Sequence, residues 1–181
     1  MLITISGVPG SGKTTVAKQL AARLGLPHVY AGDLYRQEAK QRGLSLDAFN
    51  LLCERDHSID RGLDAAMAER AKQGNVVLEG RLAGFLAADN QLDALKVWLD
   101  ASDEVRAQRV AQREDADWRA VLEENRARHG SDSKRYKTIY GYDLADTGVY
   151  DVVLTTDART PETLVDELVA HAQRRFDGAR R

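Results

Sequence analysis

The octapeptide Gly7-Val8-Pro9-Gly10-Ser11-Gly12-Lys13-Thr14 constrains this chain more than any other feature, because it fits G-x-x-x-x-G-K-[ST] at every fixed place. An apolar run, Leu2 to Ser6, precedes it. Apolar residues at helical spacing (Val16, Ala17, Leu20, Leu24) follow it as far as Gly25. A strand, a glycine-rich turn and a helix over about 13–24 are therefore expected in direct succession. In such a loop successive backbone N–H groups converge on one point, with the positive end of a helix dipole behind them, which makes an anion site suited to a nucleotide β-phosphate. Lys13 can bridge β- and γ-phosphates, and the Thr14 hydroxyl can ligate Mg²⁺. The binding element is expected to run from Gly7 through Thr15.

The rest of the chain repeats the alternation of short apolar runs with helical stretches, as βα units around a mostly parallel sheet do. Strands are expected at Pro27–Ala31, Asn75–Leu78, Leu95–Leu99 and Tyr150–Leu154. Short helices cover 33–72 with a break near Gly43, and Ser45 is a candidate N-cap. Ser102 opens a long charged helix. Thr160-Pro161-Glu162 reads as a cap, a first-turn proline and an acid, followed by a last helix with Leu164, Leu168 and His171 on one stripe and an Arg-rich tail (Arg174, Arg175, Arg180, Arg181). Five strands with intervening helices make one α/β domain. The core comprises 1–31, 74–113 and 145–181, and the excursions at about 32–73 and 114–144 are least needed by it.

With 26 basic and 28 acidic residues the formal charge is −2, so no global basic field holds nucleic acid and phosphate binding must be local. A single cysteine, Cys53, fits a reducing compartment. The absence of a long apolar run or cleavable leader points to a cytoplasmic protein without membrane attachment. The four histidines lack metal-ligand spacing and read as ordinary structural or surface residues. No guanine-reading Asn-Lys-x-Asp element occurs.

The phosphate loop fixes a donor, not an acceptor. Arg36, in Ala31-Gly32-Asp33-Leu34-Tyr35-Arg36, and Arg81, just after the third strand, can reach one crevice from two elements and grip a monophosphate. Glu79 can hold a magnesium-bound water, orient an arginine, or cap the next helix. Arg106, Arg109 and Arg113 fall at i, i+3 and i+7, and Arg128, Asp132 and Arg135 at i, i+4 and i+7. Each set shares a helical face. Cations closing over a transferring phosphoryl group would stabilise its spread charge, whereas an ordinary charged hairpin would leave them in solvent.

Taken together, 3–15, Ala31–Arg36, Asn75–Gly84 (Asn-Val-Val-Leu-Glu-Gly-Arg-Leu-Ala-Gly), 107–114, Lys134–Gly141 (Lys-Arg-Tyr-Lys-Thr-Ile-Tyr-Gly) and Tyr150–Leu154 resemble the short, archaeal-type cytidylate kinases of the nucleoside monophosphate kinase superfamily. That resemblance implies a three-layer P-loop kinase fold with five parallel strands, an NMP-binding excursion and an arginine-rich lid. It implies ATP as donor with Mg²⁺, CMP or dCMP as acceptor, and a monomer. Arg36 and Arg81, with Asp33 beside them, match the acceptor-phosphate grip. Arg109 matches the arginine stacked on adenine, and Arg113 a lid arginine. Arg128, Asp132 and Arg135 match a lid element in which an acid orients two phosphate-binding arginines. Leu82 stands where longer relatives carry a base-reading Asp, so base recognition is sought among Asp60, Arg61 and the helices over 45–60.

Overall fold

A computed structural model of the chain describes residues 1–177. Five strands, β1 (Leu2–Gly7), β2 (His28–Tyr30), β3 (Val76–Glu79), β4 (Leu95–Asp100) and β5 (Val152–Thr155), form one sheet in the order β2-β3-β1-β4-β5. Every pairing is parallel. The helices are α1 (Lys13–Leu24), α2 (Ala31–Gln41), α3 (Leu46–Arg55), α4 (His57–Lys72), α5 (Ala83–Asp89), α6 (Asp103–Glu114), α7 (Trp118–Tyr140) and α8 (Pro161–Asp177).

Because strand side chains alternate between faces, one run feeds two cores. Ile3, Ile5, Val77, Val97 and Leu99 pack with Val16 and Leu20 of α1 and Leu164, Val165, Leu168 and Ala172 of α8. Leu2, Val76, Leu78 and Trp98 pack on the opposite face with Met67, Phe85, Leu86 and Tyr150. Both faces of a parallel sheet are thus covered, which is why its central strands are buried at nearly every position, the polar Thr4, Ser6 and Glu79 included.

The expected elements are present, with local shifts. Ala31 opens α2 rather than closing β2, and β3 begins at Val76 because Asn75 takes a left-handed φ of 46°. Ser45 and Ser102 cap α3 and α6 as expected, each accepting a backbone N–H. In α8 the buried stripe runs through Leu164, Leu168 and Ala172. His171 lies beside it, only partly buried, against Glu167. Arg174 and Arg175 belong to that helix instead of a tail, and Arg175 pairs with Asp93, while Arg180 and Arg181 lie outside the described residues. The segment after α6 turns at Asp115, in the left-handed region at φ 52°, and Asp117 caps α7 by accepting the Ala120 N–H.

Candidate active site

All strands point the same way, so their C-terminal ends share one edge of the sheet, where open α/β folds bind ligands. The loop from Gly7 to Gly12 leaves β1 there and leads into α1. It is a close-fitting structure. Gly10 has φ 79°, and a Cβ there would meet the Arg106 carbonyl oxygen at 2.8 Å, so only glycine fits. Arg106 is itself buried. Its guanidinium donates to Pro9 O at 3.2 Å and Ala101 O at 3.1 Å and pairs with Asp103. It braces the loop from behind and is not a free phosphate ligand.

The three arginines of α6 therefore part company despite their common face. Arg109 donates to Thr156 Oγ1 at 2.9 Å and Thr156 O at 2.8 Å, and the Thr156 hydroxyl donates to Ser11 O at 3.1 Å. Its planar head is clamped beside the phosphate loop through the end of β5. Arg113 is 69% exposed and pairs with its neighbour Glu114.

Lys13 Nζ donates to Val8 O at 2.7 Å, folding back over the loop. Burial, then the Arg81 guanidinium, pushes the Lys13 ammonium down to about 7. Glu79 pulls the other way, and Arg128 and Arg106 add to the depression. A cation held so uncomfortably favours arrival of a polyanion. Val8 and Pro9 line the loop, Ser11 is buried, and Thr15 is exposed in the first turn of α1.

Glu79 ends β3 in full burial. Its Oε1 accepts the Thr14 hydroxyl at 2.6 Å and its Oε2 lies 2.9 Å from His28 Nε2. It does not cap α5, whose N-cap is Leu82. Thr14 and Glu79 are hard oxygen donors of the kind magnesium takes alongside phosphate oxygens. Among the described residues no group of three or more His, Cys, Asp or Glu could chelate a metal unaided. His28 is thus more than a surface histidine: β2 pairs with β3 in a register that sets it beside this carboxylate.

Beyond Glu79 and Gly80 lies a buried chain of charges. Arg81 pairs with Asp132, Asp132 Oδ1 accepts Arg135 Nη2 at 3.0 Å, and Arg135 Nε lies 3.0 Å from Asp60 Oδ2. Side-chain exposure falls from 15% at Arg81 to 4% at Arg135 and Asp60. Burial lowers Arg81 to about 10, with Arg128 and Arg135 adding to the effect, so this cation favours an anion beside it. Arg128 is exposed, without an ion-pair partner among the described residues, and its charge reaches both Lys13 and Arg81.

Arg128, Asp132 and Arg135 therefore converge on the Arg81 end of the crevice. Arg36 stands apart, paired with Asp33 at 2.6 Å on an exposed face of α2, its head 5.0 Å from the Tyr30 ring centroid. Arg61 is exposed on α4, away from Asp60.

Three residues that the sequence did not single out lie in contact with these groups or beside them: His28 on Glu79, Thr156 on Arg109, and Asp64. Asp64, one turn after Asp60, accepts the Tyr140 hydroxyl at 2.7 Å. A signal for it existed. Asp60, Asp64, Met67 and Ala71 share one helical stripe, and carboxylates on an otherwise apolar stripe are uneconomical without a use.

Residues 2–158 match the family model described as "Cytidylate kinase-like family". Cytidylate kinase of Methanopyrus kandleri is 46% identical over 163 residues, 86% of this chain and 84% of that protein. Cytidylate kinase of Haloquadratum walsbyi is 42% identical over 180 residues, 99% and 92%. In fold the chain is similar to a gluconokinase from Sinorhizobium meliloti (TM-score 0.64, 20% identity, 98% and 94% covered) and to shikimate kinase from Aquifex aeolicus (TM-score 0.55, 22%, 96% and 96%). With the family model covering most of the residues and relatives above two-fifths identity along nearly the whole length, the chain belongs to the cytidylate kinase-like family.

Proposed function

We propose that the protein transfers the γ-phosphoryl group of ATP directly to the phosphate of CMP, dCMP or both, giving ADP and the pyrimidine diphosphate. The carrying observation is the buried chain Arg81–Asp132–Arg135–Asp60, which joins the end of β3 to α7 and α4 beside the phosphate loop. Asp132 lies between two guanidiniums, as an acceptor phosphate would. The cytidylate kinases among its relatives support the choice of acceptor.

In this reading residues 32–73 are the NMP-binding region, 114–144 the lid, and the rest the core. Gly7 to Thr15 hold the donor triphosphate, Lys13 spans its β- and γ-phosphates, and Arg109 lies against the adenine. Arg81 and Arg36, the latter freed from Asp33, hold the acceptor phosphate. Its oxygen attacks the γ-phosphorus in line as ADP leaves. Arg128, Arg135 and Arg113 face the charge that spreads over the transferring group, and Asp132 keeps the arginines oriented. Asp60 and Arg61 flank the nucleoside. Thr14 and Glu79 would hold Mg²⁺, which supplies charge neutralisation on the phosphates. Positioning and exclusion of water by the lid supply the rest, with no covalent enzyme intermediate. One chain provides every group named, which suits a monomer in the cytoplasm, where nucleotides are at hand.

The test is ADP formation from MgATP against CMP, dCMP, UMP, AMP and GMP in parallel. CMP or dCMP should lead clearly. Turnover of no monophosphate above background hydrolysis would overturn the reading.

A further inference from the structure

Leu82 offers no polar group to a base, and neither residue expected to replace it is free to do so: Asp60 is engaged by Arg135, and Arg61 is in solvent. The structure points elsewhere on the same helix. Asp60, Asp64 and Met67 follow one another at i, i+4 and i+7 and so share one stripe of α4. At its far end Met67 approaches Gly80, the neighbour of Arg81, closely enough that a Cβ on Gly80 would lie 3.8 Å from Met67 Cε. At its near end Asp60 is tied through Arg135 and Asp132 to Arg81. Asp64 lies between these two ends, one turn or about 5.4 Å from Asp60.

Its setting is built. Tyr140 Oη donates to Asp64 Oδ2 at 2.7 Å, the one hydrogen bond this carboxylate receives among the described residues, and Oδ1 receives none. The Tyr140 ring is fixed by stacking on Tyr142 (centroids 5.2 Å apart), which stacks on Phe85 at 4.7 Å. Phe85 in turn packs against Tyr150 in the core. A carboxylate is therefore held by one oxygen against a rigid aromatic column, with the other available to a ligand.

Resting on the reaction proposed above, we infer that Asp64, oriented by Tyr140, reads the acceptor's base by accepting the 4-amino N–H of an aminopyrimidine. A 4-oxo pyrimidine presents lone pairs at that position and is repelled by the ionised carboxylate. One hydrogen bond to a charged group is worth about 1.5–3 kcal/mol, roughly 10- to 150-fold in selectivity.

Burial pushes the Asp64 carboxyl up to about 6, with the Tyr140 hydrogen bond opposing and Asp60 adding to the rise. It is therefore mostly ionised at pH 7.5 and mostly protonated at pH 5.5. The charged and titratable groups facing it are Asp60 on its own helix, Arg135, Tyr136 and Tyr140 on α7, and Tyr142 just beyond.

The experiment is a competition between CMP and UMP for limiting MgATP, read as the ratio of kcat/KM values, so that effects on the shared phosphate chemistry cancel. Asp64→Asn, whose amide can present either a donor or an acceptor, should cut the wild-type CMP preference about 10- to 100-fold. In the wild type the preference should decline from pH 7.5 to 5.5. A variant that keeps the wild-type ratio overturns the inference. If the variant does not fold, a flat wild-type ratio across that pH range does the same. A wild type that uses both monophosphates equally sinks the base-reading role alone. A wild type that phosphorylates neither sinks the reaction, and this inference with it.

Discussion

Lys13 carries the electrostatics of the site on one side chain. Depressed to about 7 from an ordinary 10.5, it binds fewer protons in the folded chain than in the unfolded chain between those values. Its contribution to stability therefore rises with pH across that window. A bound triphosphate reverses the depression, so at pH 8 ATP binding should take up protons. Calorimetric titration in two buffers of different ionisation enthalpy measures this, and Lys13→Ala should abolish the uptake. That variant should also lose roughly 100- to 1,000-fold in turnover, the scale of removing one preorganised charge ligand, with its circular dichroism unchanged. Near-normal turnover would remove Lys13 from the mechanism. What made Lys13 recognisable was spacing alone: Gly12-Lys13-Thr14 after a strand can be identified without knowing the fold. His28 gave no such signal, because its partner Glu79 lies 51 residues away and only the β2–β3 register brings them together.

Among the elements, α7 does the most to close the site. It carries Asp132 and Arg135 into burial against Arg81 and Asp60, and Tyr140 against Asp64. Removing one partner from such a network leaves charges buried without compensation, which costs about 3–5 kcal/mol. Asp132→Ala should lower the urea-unfolding free energy by about that amount. A loss near zero would mean that α7 rests loosely on the core. That Arg128, Asp132 and Arg135 share a face was readable from their spacing. Which of them are buried and which meets solvent was not. The answer depends on α4 lying opposite, and the pattern of α7 alone is equally that of a charged surface hairpin. The same holds for α6, whose three arginines have one face and three fates: brace, clamp and exposed ion pair.

For the molecule as a whole, these contacts fasten α7 to the helices that precede β3. Ser131 donates to Glu54 of α3 in addition to the α4 contacts. In the proposed reaction the acceptor reaches Arg81 past these contacts, so turnover should require α7 and α3 to separate. Cysteines at 54 and 131, in a Cys53→Ala background and joined by a short bismaleimide, should reduce turnover by at least about tenfold relative to the uncross-linked protein. Full activity after cross-linking would show that opening occurs elsewhere.

The sequence by itself determined the βα alternation, the phosphate loop and the caps at Ser45 and Ser102, because each is written in the spacing of neighbouring residues. Only the tertiary structure decided that Arg106 supports the loop while Arg81 pairs with Asp132, and that Glu79 is divided between Thr14 and His28. It alone placed the Asp64 carboxylate under the hydroxyl of Tyr140, 76 residues away. The physical reason is that a charged side chain's role is set by its partner and its burial, and here both are supplied by elements distant in the chain.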